Sequence, residues 1–451
     1  MTHEQNARIA QAVQMLTAQL DAAKVLSSGP AYDEARHVFN AAVTRSPAVI
    51  VLCESTGDVQ SSVRAAMSCG LSLSVRAGGH DWAGRALQGE LVVDLTRMRH
   101  VSVEGRVATV GGGATSMEVA EAAHPYGLAA VTGTMGCVGM AGLTLGGGYG
   151  PLTGRFGMAS DNLLGAEVVL ADGRVVRTDE THEPDLFWAL RGGGGNFGVV
   201  TSLRVRLHPV ADVSAGVVAF PWEQARSVFK AYDDMVATIP DELTLTPGFF
   251  PDPDGKPTVI MLHAWCGDRR EDERVLDEVK GLGAPSMVQV GRTSPAQMLK
   301  DADPMVLNGL SRIVRTVTLA KLEPGAVEAL IDGMEHRSSP LSWIGLHPFH
   351  GVGERIPLES TAFGLRARHF MLGIFAAWEP GEDAPHRAWA DAVEAVLKPY
   401  ALPSAYPNYF GPDRPEQAAQ AYGQNTARLL RIKGHYDPNG VFAATSLPVL
   451  A

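Results

Sequence analysis

Four cysteines in 451 residues, Cys53, Cys69, Cys137 and Cys266, form no C-x-x-C pair, which excludes a disulfide-stapled scaffold and a zinc knuckle. The opening residues, MTHEQNARIAQAVQMLTAQL, break every apolar run with polar side chains, so the roughly 7–15-residue apolar core of a secretory signal is missing. Nor is there a run of about 18 apolar residues to span a bilayer. A cytoplasmic location and no membrane partner are the expectations. Basic clusters are also missing. The net charge of -11 opposes binding to a phosphate backbone, which draws on clustered Lys and Arg, so no nucleic-acid partner is expected. Histidines such as His263, His347 and His350 follow no H-E-x-x-H or comparable spacing, leaving a metal-dependent hydrolase without a ligand set.

What the chain does have is ordinary globular composition, 45% hydrophobic and 19% charged, and a length that predicts two or three domains at roughly 100–200 residues each. Glycine is concentrated in two places: Arg76-Ala77-Gly78-Gly79-His80, and Gly133 to Gly150, reading GTMGCVGMAGLTLGGGYG. Clustered glycines let backbone amides approach a ligand, and a row of amides makes a concavity suited to a pyrophosphate. The surrounding periodicity predicts a helix over 5–26, a strand over 48–52, a helix over 56–68 and a strand over 72–76, a βαβ unit that ends at the first cluster. Further strands are predicted over 91–94, 106–110 and 165–170, with a helix over 116–126. Beyond about Val210 the glycine density falls. Strands over 258–263 and 374–378 and helices over 222–237, 297–306, 324–337 and 388–398 predict a second α+β unit, and a helix over 422–441 closes the chain. Gly193-Gly194-Gly195-Asn196-Phe197-Gly198 satisfies G-x-G-x-x-G, but it follows a predicted helix and precedes a strand, the reverse of a nicotinamide-dinucleotide fingerprint.

Together the two clusters resemble the flavin-binding region of the berberine-bridge-enzyme-like branch of the vanillyl-alcohol-oxidase/PCMH flavoprotein superfamily. Arg76, Gly78, Gly79 and His80 match the R-x-G-G-H loop. Gly133, Val138, Gly139, Gly142, Leu143, Leu145, Gly146, Gly147, Gly148 and Gly150 match the second motif, while Ser160-Asp161-Asn162, Pro184 to Val200 and the C-terminal Asn408-Tyr409, Tyr422, Asn425, Arg428, Lys433 and Tyr436-Asp437-Pro438 match further downstream. The resemblance runs from about Ala31 to Phe442 and is only an outline between about 210 and 400. It implies an α+β fold: a two-lobed PCMH-type FAD-binding domain over 1–208, an α+β substrate domain with an antiparallel sheet over 209–400, and a segment over 401–451 that returns to the FAD domain.

By resemblance, FAD is the cofactor, held by Arg76, Ala77, Gly78, Gly79 and His80 in the first loop and by Gly133, Thr134, Gly136, Cys137, Gly139, Gly142, Gly146, Gly147 and Gly148 in the second. Asp161, Asn162, Gly198, Val199, Asn408 and Tyr409 complete the expected set. His80 carries the bond to the flavin 8-methyl carbon. Family members often add a cysteine bonded to flavin C6; counting back from Gly139, that position is Met135, so attachment through His80 alone is expected, with Cys137 as the alternative second anchor. The implied chemistry is hydride transfer from substrate to flavin N5, proton transfer to a base, and reoxidation by molecular oxygen to give hydrogen peroxide. Candidate bases are Tyr149, Tyr409 and Glu354, with His350 a fourth; the tyrosine found in several members two residues after the linking histidine is Trp82 here. The expected substrate is a small aromatic, polyketide or alkaloid secondary metabolite. The alternatives are a carbohydrate oxidase of the same family, a flavin-dependent oxygenase or oxidative cyclase acting on a polyketide, and a non-catalytic flavoprotein, which a covalent tether argues against.

Overall fold

A computed structural model describes residues 2–306, 309–411 and 413–448. Its first sheet has four strands, β1 (Val25–Leu26), β2 (Val49–Leu52), β3 (Leu73–Arg76) and β4 (Leu91–Asp94), in the order β1-β2-β4-β3. β2, β4 and β3 are parallel. Parallel strands are covered on both faces and so read as unbroken apolar runs, as Val49-Ile50-Val51-Leu52 does, every residue of it buried. The crossover helix Thr56–Cys69 starts on Ser55, whose side chain accepts from the Asp58 amide at 3.2 Å.

The second sheet is antiparallel: β5 (Val101–Glu104), β6 (Val107–Gly111), β8 (Leu163–Val169), β9 (Val175–Thr178) and β10 (Val199–His208) run in the order β5-β6-β10-β8-β9, with β7 (Ala129–Ala130) on the far end of β10. The third has seven strands: β11 (Val213–Phe220), β12 (Leu243–Pro251), β13 (Pro257–Trp265), β14 (Met287–Thr293), β15 (Ser311–Leu319), β16 (Trp343–Phe349) and β17 (His369–Trp378), ordered β14-β11-β13-β12-β16-β17-β15 and antiparallel throughout. Its two faces divide by the period of two. Leu245, Phe249, Ile344, Leu346, Leu372 and Ile374 join a core with helices Ala225–Val236, Pro324–Glu335 and Ala384–Leu397. The alternate residues face the glycine-rich loops.

Both ends of the chain are stitched across these sheets. Ahead of β2, the Asn40 amide donates to the Trp82 carbonyl at 2.8 Å and the Arg312 carbonyl at 2.9 Å, and its oxygen accepts from the Arg312 amide. At the other end, the Thr445 amide donates to the Asn196 side chain at 3.0 Å and Lys433 donates to the Asn196 carbonyl at 2.7 Å. Two helices differ from the sequence expectation. The N-terminal one spans His3–Thr17, because Asp21 caps a short turn that leads into β1. The C-terminal one spans Thr426–Tyr436, because the Asp437 carboxylate accepts from the amides of Val441 and Phe442 and turns the chain.

Candidate functional site

One cavity runs between the two glycine clusters and the exposed face of the third sheet. Its first wall is Ala77 to Trp82, its second Gly133 to Met135, Val138, Gly139 and Ala141 to Leu143, and its third Thr246, Phe250, Leu262, Trp343, Gly345, His347, Met371 and Phe375. The two loops meet backbone to backbone: a Cβ on Gly78 would lie 2.5 Å from the Gly139 Cα, and one on Gly139 would lie 2.6 Å from the Gly78 nitrogen. Only glycine permits that approach. A Cβ on Gly142 would meet nothing within 4 Å, so this backbone faces open cavity. Among the described residues none accepts a hydrogen bond from the amides of Gly78, Gly79, His80, Gly133, Thr134 or Met135. Unused donors on residues that line a cavity fit an anionic group. The donor set therefore fits FAD, whose diphosphate these glycine-loop amides would hold.

The expected site residues separate into two groups. Ala77, Gly78, Gly79, His80, Gly133, Thr134, Gly139, Gly142, Gly198, Asn408 and Tyr409 line the cavity, as do Tyr149, Met135 and Trp82. The others are outside its lining. Arg76 braces the first loop from beneath, its guanidinium donating to the Ala35 carbonyl and lying 3.5 Å from Asp94. Gly147 and Gly148, at φ 124° and 89°, make a turn, and the Gly148 amide donates to the Tyr406 hydroxyl at 3.2 Å. Gly146 sits under the Asn408 side chain, where a Cβ would come within 2.2 Å of Oδ1. Val199 is ladder-paired with Val169 inside the second sheet, and the Asn162 amide donates to the carbonyls of Phe156 and Met158.

Asp161 is engaged away from the cavity. It takes two hydrogen bonds from Arg366, at 2.9 and 2.7 Å, with both side chains about 5% exposed or less. Arg366→Leu should lower unfolding stability by roughly 3–5 kcal/mol, because it strands a buried carboxylate; urea or guanidinium titration of the intact protein measures this. Glu354 is also outside the cavity. Its carboxylate accepts from the Gly351 amide at 2.9 Å at the start of the short helix Val352–Arg355 and pairs with Arg368 at 2.9 Å. Its G-E-R context reflects helix capping. His350 is buried against Gly154, whose Cβ would strike its ring at 2.5 Å.

Cys137 is exposed, and Asp303 Oδ1 accepts from the amides of Gly136 and Cys137 at 2.7 and 3.2 Å. Its Sγ lies 3.8 Å from His80 Nδ1. Desolvation, with the Asp303 charge beside it, pushes the thiol up to about 11. His80 moves the other way, down to about 4, chiefly through burial and then through the Arg312 charge. Its imidazole is neutral at neutral pH.

The third wall was not visible as a site in the sequence. Trp343 and Phe375, paired across β16 and β17, stack at 3.6 Å, and Phe250 stacks on Trp343 at 5.0 Å. His347 points from the same face of β16, and burial holds it down at about 4. Tyr149 completes this end. Its hydroxyl lies 2.6 Å from His369 Nε2, and His369 Nδ1 lies 2.7 Å from the Ala367 carbonyl. A proton on Nδ1 makes Nε2 the acceptor, so the Tyr149 O–H donates to it. Burial raises the phenols of Tyr149 and Tyr409 above their ordinary range.

Two family profiles match the chain: an FAD binding domain over residues 47–179, and one described as berberine and berberine like over 405–446. The chain is 31% identical over 431 residues to FAD-linked oxidoreductase aurO of Gibberella zeae, covering 92% of this chain and 83% of the relative. It is 30% identical over 432 residues to (R)-6-hydroxynicotine oxidase of Paenarthrobacter nicotinovorans, covering 91% and 93%. The crystal structure of 6-hydroxy-D-nicotine oxidase from Arthrobacter nicotinovorans superimposes with a TM-score of 0.85 at 27% identity, covering 94% of this chain and 96% of that one.

Proposed function

The chain belongs to the berberine-bridge-enzyme-like FAD-linked oxidoreductases, and from that premise we propose that it is an oxidase with FAD attached through His80, acting on a small aromatic donor, a polyketide or an alkaloid, with dioxygen as acceptor. FAD, when bound, supplies a two-electron acceptor for substrate hydride and returns the electrons to dioxygen as hydrogen peroxide. The protein's part is to hold donor and cofactor in register and to receive a proton. The observation that carries the substrate class is the third wall: Phe250, Trp343 and Phe375 offer stacked rings, Leu262 and Met371 offer apolar contact, and no Asp, Glu, Lys or Arg projects from this sheet into the cavity among the described residues. Such a surface favours a flat, uncharged donor. A sugar would find only the Thr246 and His347 side chains on this wall to accept from its hydroxyls, among the described residues.

His347 is the proton acceptor on this reading. It is the one neutral imidazole among the described cavity-lining residues of the third sheet, and it receives the O–H or N–H proton as hydride leaves the donor. Tyr149, its hydroxyl fixed by His369, packs 6.0 Å from His347, ring centre to ring centre, and holds the donor's polar edge. Anaerobic mixing of the holoenzyme with a benzylic alcohol bearing a phenol, a hydroxypyridine amine and cellobiose tests the reading. Loss of the visible flavin absorbance with an aromatic donor, followed by peroxide on admitting air, is the expected result. Bleaching by cellobiose alone would overturn the substrate class in favour of a carbohydrate oxidase.

A further inference from the structure

Among the described residues no carboxylate hydrogen-bonds the His80 ring, whose nearest polar side-chain contact is Cys137 Sγ at 3.8 Å from Nδ1. The His80 imidazole lies flat on the Phe39 ring, centroids 3.9 Å apart and planes 23° from parallel, while the Arg312 guanidinium sits 4.2 Å over Phe39. Trp82 meets both rings edge-on, at 5.1 Å from Phe39 and 5.5 Å from His80. Phe39 is buried, and its carbonyl and that of Leu310 accept from Arg312. The three groups come from distant parts of the chain: the segment before β2, the first glycine loop, and β15. Asn40 fixes the register of that meeting through its hydrogen bonds to Arg312 and Trp82.

We infer that the Arg312–Phe39–His80 stack presents the imidazole to the flavin methyl group, which makes Phe39 and Arg312 positioning residues for covalent attachment. The inference rests on the proposal that His80 carries the flavin. In the attachment step the N–C bond forms between the imidazole nitrogen and the methyl carbon; the imidazole N–H and one methyl C–H are lost. The two electrons released pass through the isoalloxazine to dioxygen, which leaves with the two protons as hydrogen peroxide. A neutral nitrogen lone pair aimed at the carbon is required. Phe39 fixes the plane of the ring, and a tilted ring misdirects the lone pair. Arg312 opposes protonation of His80 from one side. Asp81, the other charged neighbour, is tied to Arg85 at 3.0 Å and to the amides of Ala83 and Ala86, and Cys137 with Asp303 behind it completes the polar surroundings.

The test uses the full-length chain produced under riboflavin limitation and mixed with FAD in air, with covalent flavin followed on denaturing gels and non-covalent binding followed by flavin fluorescence quenching. Phe39→Leu should still quench FAD but attach it at least about tenfold more slowly, while Phe39→Tyr restores the rate. Arg312→Met should move the pH at which attachment is half-maximal upward, since removing a positive charge eases protonation of His80; Arg312→Lys should leave it near the wild-type position. Wild-type rates in Phe39→Leu, or an unmoved midpoint in Arg312→Met, would overturn the inference. If the wild-type chain itself attaches no flavin, the His80 proposal fails and this inference falls with it.

Discussion

His80→Ala should yield a protein that binds FAD yet releases every molecule of it on acid precipitation, leaving a colourless pellet where the wild type gives a yellow one. The amide donors of the two glycine loops do not depend on the imidazole, so binding by fluorescence quenching should survive the substitution. Cys137→Ala should keep its flavin. The Cys137 thiol, pushed up to about 11, is ionised in only roughly one molecule in 10⁴ at neutral pH, and the thiolate is the nucleophile. Met135 lines the cavity wall and has no group that bonds a ring carbon. Flavin retained in His80→Ala and mapped by mass to the Cys137 peptide would overturn single attachment.

The glycine loops were legible because close approach of two backbones has a residue-level signature: nothing larger than glycine fits at Gly78 and Gly139. The three parallel strands of the first sheet were legible for a related reason: β2 is a short unbroken apolar run, and the helix that follows it has a visible cap; β1 was not, since its residues continued the apolar spacing of the predicted N-terminal helix. The substrate face was not. Of the third sheet only β13 and β17 were expected. β12 carries Pro247 and Gly248 and β16 carries Pro348, residues that argue against interior strands; the structure accommodates them because β12 and β16 pair only through Gly248↔Gly345 and Phe249↔Ile344, leaving both prolines beyond that ladder. Without β16 there was no parity to place Trp343, Gly345 and His347 on one face. Glu354 stood out by motif position alone, and nothing local separates a capping carboxylate from a catalytic one. Phe39 and Arg312 are 273 residues apart and become neighbours only through the pairing of the whole chain.

His347→Gln should lower kcat/KM for an aromatic donor by roughly 10²–10⁴-fold, the range expected when a positioned base is lost. A base must be unprotonated at the working pH. Tyr149 and Tyr409 do not meet that condition, since burial raises both phenols, whereas burial holds His347 down at about 4. The wild-type kcat/KM should therefore stay level as pH falls through the ordinary histidine range and drop only near 4, where His347 gains a proton and can no longer accept one. His369 is also held at about 4 by burial, so the position of that acid limb does not by itself name the base; its survival in variants does. Tyr149→Phe removes the donor to His369 but leaves His347 in place, and should cost about tenfold or less with the acid limb intact. His347→Gln should lose the limb along with the rate. A limb that persists in His347→Gln and vanishes in Tyr149→Phe would transfer the role of base to the Tyr149–His369 pair.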